Sequence, residues 1–267
     1  MILRSLLFVP AHKEHLIKKA LKTKADAIIF DLEDGCPGEE NKKIGIENIK
    51  KYYRENDIVR IEIFKISILR EIEEIYDFIN IVMIPKYSGL DGTPTKNLKV
   101  IPLIETCFGI QNLLQWQIIN DNIIALAFGE LDYKMDNYCL DTNYAKQIII
   151  NSAHAFGIPA IATPNLDLSN ENRLRVKIRE DQEKGFDGTM TIHPKEIEMI
   201  NQAYTPDMEY ANNFLKIYKT TDEGVNFVDK KLYAPPIYRK CLKQIEYYEE
   251  IQRMESQRSN KSQIDKK

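Results

Sequence analysis

Cysteine is scarce and scattered. The 267 residues hold four, Cys36, Cys107, Cys139 and Cys241, and no two form a C-x₂-C pair. That spacing supports neither a zinc site nor a disulfide framework, so reduced thiols in a cytoplasmic protein are expected. Charge of one sign is not in excess. Lys+Arg number 37 against 40 Asp+Glu, a formal net charge of -3, which points away from nucleic-acid and membrane partners. No apolar run reaches the roughly 18 residues of a membrane span. The opening MILRSLLFVPAHKEH has a short apolar run without a long apolar region or a small-residue cleavage site. It reads as a first strand and not as a signal peptide.

What is present suits a large α/β core. Hydrophobic residues make up 43% and charged residues 29%, and the length matches the ~250 residues of an eight-fold β/α barrel. Eight short apolar runs read as strands: Ser5–Val9, Ala27–Leu32, Ile58–Phe64, Ile81–Lys86, Lys99–Glu105, Ile123–Gly129, Ala160–Thr163 and Thr189–His193. They are continuous and not alternating, as expected of parallel strands covered on both sides. Amphipathic stretches between them predict helices over Lys13–Lys24, Lys42–Asn56, Ile68–Ile79, Gly109–Ile119, Asn143–Phe156, Asn170–Lys184 and Lys195–Ala203. The fold class is therefore a (β/α)₈ barrel over 1–206, with an open doubly wound sheet as the alternative. The fourth unit is irregular, because YSGLDGTPTKNL is a Gly-, Pro- and Thr-rich loop where a helix would stand. Residues 207–255 predict a helical extension, with a helix over Asp207–Lys219, an irregular Thr220–Pro236 and a long charged helix over Ile237–Glu255. Residues 256–267 are polar enough to be a disordered tail.

In such a barrel, chemistry gathers where strands end and βα-loops begin. Those ends carry Asp31, Glu33, Asp34, Arg60, Glu62, Lys86, Glu105, Glu130, Asp132 and His193. So many carboxylates on one rim call for a cation. Only oxygen ligands are on offer, so Mg²⁺ fits better than zinc, with Mn²⁺ also acceptable. Glu105 and Asp132, at the ends of adjacent strands about 5 Å apart, are the candidate metal ligands. The plainer reading makes Glu105 a helix-starting residue and Asp132 a turn residue.

These residues also carry a resemblance. RSLLFVPAHKEHLIKKALKTKADAIIFDLEDGCP, IPLIETCFGI, ALAFGELDY, HAFGIPAI and GFDGTMTIHPKEIEMINQAYTP occur in this order across 1–206. Together they resemble the HpcH/HpaI aldolase and citrate lyase family, in its citrate lyase β-subunit-like branch. The resemblance implies a barrel, often trimeric, with Mg²⁺ held by Glu105 and Asp132. It implies reversible carbon–carbon cleavage of a hydroxy acid or its CoA thioester, the metal stabilising enolate-like charge. Partners would be a small carboxylic acid or acyl-CoA and further copies of the chain. Arg60 corresponds to an arginine that binds a substrate carboxylate, for which a planar guanidinium is suited; an ion pair with Glu62 or Glu33 is the structural alternative. Glu33 and Asp34 correspond to an LED motif that orders water or serves acid–base chemistry. Arg4 reads as structural, His193 as a cap of the last unit, and Lys86 as a neutraliser of the carboxylates or a solvated lysine.

The departures cluster where an anionic substrate would be held. Cys107 and Phe108 stand where the family has a small residue and Arg, Glu62 stands for Asn, Leu131 for an acid, Ala162 for Asp, Thr189 for Lys and Lys146 for Arg. Phe108 thus becomes a candidate substrate contact through its ring. Three functions remain in play: a Mg²⁺-dependent lyase or aldolase, a divergent member with a different, for example phosphorylated, substrate, and a non-catalytic binding or assembly subunit.

Overall fold

The computed structural model describes residues 1–61, 75, 77–89, 98–117, 119, 121–138, 140–221 and 224–264, with side chains as far as 258. Glu62, the predicted helix over Ile68–Ile79 apart from its last residues, the 90–97 part of the irregular loop and Cys139 lie outside these residues. The chain forms two compact units, Leu3–Tyr204 and Thr205–Lys267 together with Met1–Ile2.

The first unit is a closed barrel of eight parallel strands in sequence order: β1 (Ser5–Pro10), β2 (Ala27–Asp31), β3 (Ile58–Arg60), β4 (Ile81–Ile84), β5 (Lys99–Ile104), β6 (Leu126–Phe128), β7 (Ala160–Ala162) and β8 (Gly188–Thr191). The open-sheet alternative is excluded, because β8 pairs with β1 through Ser5↔Thr189 and Leu7↔Thr191. That closure needs a glycine: a Cβ on Gly188 would lie 1.9 Å from the Leu3 carbonyl oxygen.

Side chains alternate inward and outward along each strand. Leu6, Ala27, Ile29, Ile58, Ile81, Met83, Ile101, Leu103, Ala127 and Ile161 fill the barrel interior. Leu7, Ile28, Phe30, Val59, Val82, Ile84, Ile104 and Phe128 pack in the layer between barrel and helices. The same parity turns Asp31, Arg60 and Glu105 inward at the C-terminal end. At the other end Arg4 is fully buried, and its Nε and Nη2 each donate to Asp26 at 2.9 Å.

The surrounding helices are α1 (Glu14–Ala20), α2 (Glu39–Tyr52), α3 (Cys107–Leu113), α4 (Glu130–Asn137), α5 (Asn143–Ala155), α6 (Glu171–Lys184) and α7 (Ile197–Ala203). Two differ usefully from the sequence reading. Helix α3 begins two residues earlier than predicted, because Thr106 caps it by accepting from the Gly109 N–H at 3.0 Å. Helix α4 is unpredicted. It places Asp132 in the first turn of a helix, not at a strand end.

In the second unit, Asp207 caps α8 (Met208–Tyr218) by accepting from the Tyr210 N–H. A hairpin of β9 (Asn226–Val228) and β10 (Lys231–Tyr233) occupies the stretch predicted to be irregular. Its two-residue turn, Asp229 and Lys230, has positive φ at both positions, the geometry that suits strand twist but is usually built with Asn-Gly. Helix α9 (Pro235–Ile264) extends past 255 into the segment expected to be a disordered tail. Phe214 stacks on Tyr233 with ring centroids 4.8 Å apart.

Candidate active site

Glu105 is the central group. Its inward position directly follows β5, and it is only 3% exposed. One oxygen, Oε1, accepts the backbone N–H of Lys86 at 2.8 Å. Lys86 reaches that position with a φ of 49°, in the left-handed region a lysine seldom occupies. The other oxygen lies against Gly129, whose amide extends the β5–β6 ladder by donating to the Ile104 carbonyl. A Cβ on Gly129 would sit 2.3 Å from Oε2 of Glu105, so glycine is the residue that leaves room for this carboxylate. Burial pushes the Glu105 carboxyl up to about 8, and the charges of Asp132 and Glu33 push the same way against the Lys86 hydrogen bond.

Beside it lies an arginine held by carboxylates. Arg60 donates from Nε and Nη2 to the two oxygens of Asp31 at 2.8 and 2.6 Å. Its Nη1 is 3.0 Å from Glu33 Oε2 and 3.8 Å from Asp34 Oδ2. The guanidinium carbon also sits 5.0 Å from the Phe8 ring centroid. Burial works against the charge of Arg60, but the hydrogen bonds and charge of Asp31 more than offset it and raise its pKa. The oxygens of Asp31 also accept from the N–H groups of Glu33 and Gly35 at 2.9 Å. Asp31 therefore shapes the turn that presents Glu33.

The Glu33 side chain is 8% exposed, and its desolvation raises its pKa despite the pull of Arg60. Its Oε2 is out of line with Arg60 Nη1 and has no hydrogen-bond donor among the described residues. Its Oε1 is 3.5 Å from Lys86 Nζ. Lys86 answers four carboxylates, Glu33, Glu105, Asp34 and Asp132, and they raise its pKa although burial opposes them. Asp34 is mostly in solvent, with 68% of its side chain exposed.

The remaining rim residues are committed elsewhere. Glu130 accepts from the Thr142 hydroxyl at 2.7 Å and pairs with Lys134 and Lys146 at 3.1 and 3.2 Å. Burial alone would raise its carboxyl, yet these partners lower it to about 2. His193 caps the 3₁₀ turn Pro194–Glu196, its Nδ1 accepting from the Lys195 N–H. Phe108, in the first turn of α3, is 54% exposed.

Of the sequence candidates, Glu33, Asp34, Arg60 and Glu105 gather on one rim, with Asp132 near enough to act on Glu105 and Lys86 electrostatically. Among the described residues no three His, Cys, Asp or Glu side chains form a metal-holding cluster. A cation on the Glu105–Asp132 pair would therefore complete its shell with water and substrate oxygens, as Mg²⁺ commonly does. The pair fits such an ion: a deeply buried carboxyl beside a second acid is costly without one, and Gly129 leaves room for that carboxylate. Two residues gain roles that sequence reasoning does not assign. Asp31 is visible there only as one strand-end acid among several, and its inward parity beside Arg60 is the signal that sets it apart. Gly129 is signalled by the β5–β6 register, which sets it beside Glu105.

The profile of the family described as HpcH/HpaI aldolase/citrate lyase matches residues 38–194. The citrate lyase β subunit of Leuconostoc mesenteroides subsp. cremoris is 23% identical over 252 residues, covering 83% of each chain. The mitochondrial citramalyl-CoA lyase of Rattus norvegicus is 27% identical, over 81% of this chain and 76% of its own. Among solved structures, CitE of Mycobacterium tuberculosis in complex with magnesium, acetoacetate and coenzyme A is 22% identical. It superposes with a TM-score of 0.78 over 92% of this chain and 97% of its own. The citrate lyase β subunit of the same organism, complexed with oxaloacetate and magnesium, is 25% identical with a TM-score of 0.67, over 76% and 96%. With its motifs in order on the rim of a closed eight-stranded barrel and the family profile matched across 38–194, this chain belongs to the HpcH/HpaI aldolase/citrate lyase family.

Proposed function

We propose that this chain is a Mg²⁺-dependent carbon–carbon lyase that cleaves or forms a bond in a small hydroxy acid or its CoA thioester. The observation that carries this reading is the inward Glu105 carboxylate, 3% exposed, with Oε1 held by the Lys86 N–H and Oε2 lodged against Gly129, and with Asp132 acting on it electrostatically. Relatives named as lyases, and solved relatives in complex with magnesium and small acids, support it. Glu105 and Asp132 would hold the ion. Bound there, a divalent cation supplies electrostatic stabilisation to negative charge developing on a substrate oxygen.

The chain's own residues supply the rest. Arg60, fixed along one edge by Asp31 and backed by Phe8, offers its remaining N–H groups to a substrate carboxylate. Glu33 would exchange a proton, a role supported by a side chain only 8% exposed, a raised pKa and one oxygen without a hydrogen-bond donor among the described residues. Asp34, open to solvent, connects that acid to bulk water. Lys86 limits the repulsion among these carboxylates and orients Glu105 through its backbone amide. Phe108 lies against the remainder of the substrate.

The test is cleavage of a panel of citryl-, malyl- and citramalyl-type acids and thioesters with and without Mg²⁺. Turnover that requires Mg²⁺ and disappears in Glu105→Gln and Asp132→Asn is expected. Metal-independent turnover, or none on the whole panel, contradicts the reading. The same reading expects a homotrimer in the cytoplasm; light scattering measures the trimer, and cell fractionation the compartment.

A further inference from the structure

The turn that holds Glu105 is itself held. Lys86, Tyr87, Ser88 and Gly89 follow β4, and Lys86 and Gly89 have positive φ, 49° and 78°. Glycine takes that conformation freely, whereas a lysine keeps it only where its neighbours impose it. It is in this conformation that the Lys86 N–H donates to Glu105 Oε1 at 2.8 Å.

The neighbours that impose it come from β5 and from α3, the helix that starts two residues after Glu105. The Tyr87 N–H donates to the Leu103 carbonyl at 3.1 Å, which fixes the turn to β5. Gly109 and Asn112, three residues apart on α3, share a face. Gly109 admits the turn closely, since a Cβ there would lie 2.8 Å from the Tyr87 carbonyl oxygen. The Asn112 side-chain amide donates to the Ser88 carbonyl. Past the end of α3, Trp116 reaches the same turn. A Cβ on Gly89 would lie 3.1 Å from its indole nitrogen. Its ring meets Tyr87 edge-on, with centroids 5.9 Å apart, and packs on Phe156 at 6.5 Å.

From these contacts we infer that Asn112 and Trp116 are positioning residues for the Glu105 carboxylate. They act through the turn. Their grip on 87–89 keeps Lys86 in its left-handed conformation, that conformation keeps the amide on Oε1, and the amide fixes the rotation of the carboxylate. The circuit is closed: Glu105 leads into α3, α3 grips the turn, and the turn returns a hydrogen bond to Glu105. A carboxylate oriented in advance loses less freedom when it takes an ion, so loosening the grip weakens metal binding. That role rests on the proposed metal site and adds the residues that orient it.

Calorimetry of Mg²⁺ binding and hydrogen-exchange mass spectrometry of peptides covering 84–89 test this on the full chain. Asn112→Ala and Trp116→Ala should each lower Mg²⁺ affinity about tenfold. Both should speed exchange in 84–89 and leave peptides from β1 and β2 as in the wild type. Trp116→Phe, which keeps a ring against Tyr87, should stay close to wild type in both measurements. Circular dichroism checks folding, and where one alanine variant does not fold the other decides. Faster exchange in 84–89 with unchanged Mg²⁺ affinity would mean that the turn is gripped without orienting Glu105, which overturns the inference. Unchanged exchange overturns it as well, and so does faster exchange throughout the barrel, which reports a general loss of stability. In all three cases the metal site stands, provided that the wild type binds Mg²⁺ and Glu105→Gln does not. If the wild type fails to bind Mg²⁺, or Glu105→Gln binds it equally well, the metal reading fails and the positioning role falls with it.

Discussion

Glu105 bears its charge where a carboxylate is costly, and that cost has a pH signature. In the unfolded chain an ordinary glutamate titrates near 4.5, whereas here burial raises it to about 8. A raised acid favours folding while it is protonated, and the contribution is lost as pH climbs from the lower value to the higher. The metal-free protein should therefore show a thermal midpoint that falls between about pH 5 and pH 8 through this group. Glu105→Gln should flatten that fall; an identical slope in both proteins would assign the effect to other groups. Gly129 gives a second check at the same scale. Gly129→Ala adds a methyl group where Glu105 Oε2 now lies, so Mg²⁺ affinity measured by calorimetry should drop by about 10- to 100-fold. Helix content should hardly change.

Elements decide how such residues meet. Arg4 and Asp26 are separable from the site by position alone: Arg4 precedes β1 and Asp26 precedes β2, so both belong to the barrel's N-terminal end. Their double hydrogen bond is buried, with side-chain exposures of 2% and 0%. Asp26→Ala takes the paired carboxylate from a buried guanidinium, and urea denaturation should report a loss of roughly 3–5 kcal/mol. A variant within about 1 kcal/mol of wild type would mean that water replaces the partner. The strands themselves are readable, because buried parallel strands leave continuous apolar runs. Helix α4 is not. Its sequence, ELDYKMDN, offers one buried residue, its apolar positions 131, 133 and 135 alternate as a strand's would, and Gly129 gives it no side-chain cap. The β9–β10 hairpin hides for a similar reason, since Asp229-Lys230 lacks the glycine that usually announces such a turn. Asp132 is thus visible in the sequence as a candidate, but the helix that carries it is not.

At the scale of the whole molecule, a ligand that binds only the folded state stabilises it by mass action. Mg²⁺ at about 100 times its dissociation constant should raise the unfolding free energy by about 2.7 kcal/mol. Chelation should reverse the gain, and Glu105→Gln should never show it. Stabilisation that survives in that variant would place the ion elsewhere. No described helix is long and apolar enough to cross a membrane.

The order of strands, the identity of the acidic and basic rim residues and the family were all determined by local sequence. Apolar runs, turn residues and ordered motifs act over a few positions and can be read there. What only the tertiary structure decided is which charges neutralise one another. Asp31 takes one edge of Arg60, Glu130 is drawn away by Lys134 and Lys146, His193 caps its own turn, and Glu105 is left buried beside Gly129. These outcomes follow from strand register and inward parity across the closed barrel. Coulomb energy and burial depend on distance in space, and barrel closure brings together groups that lie tens of residues apart in the chain.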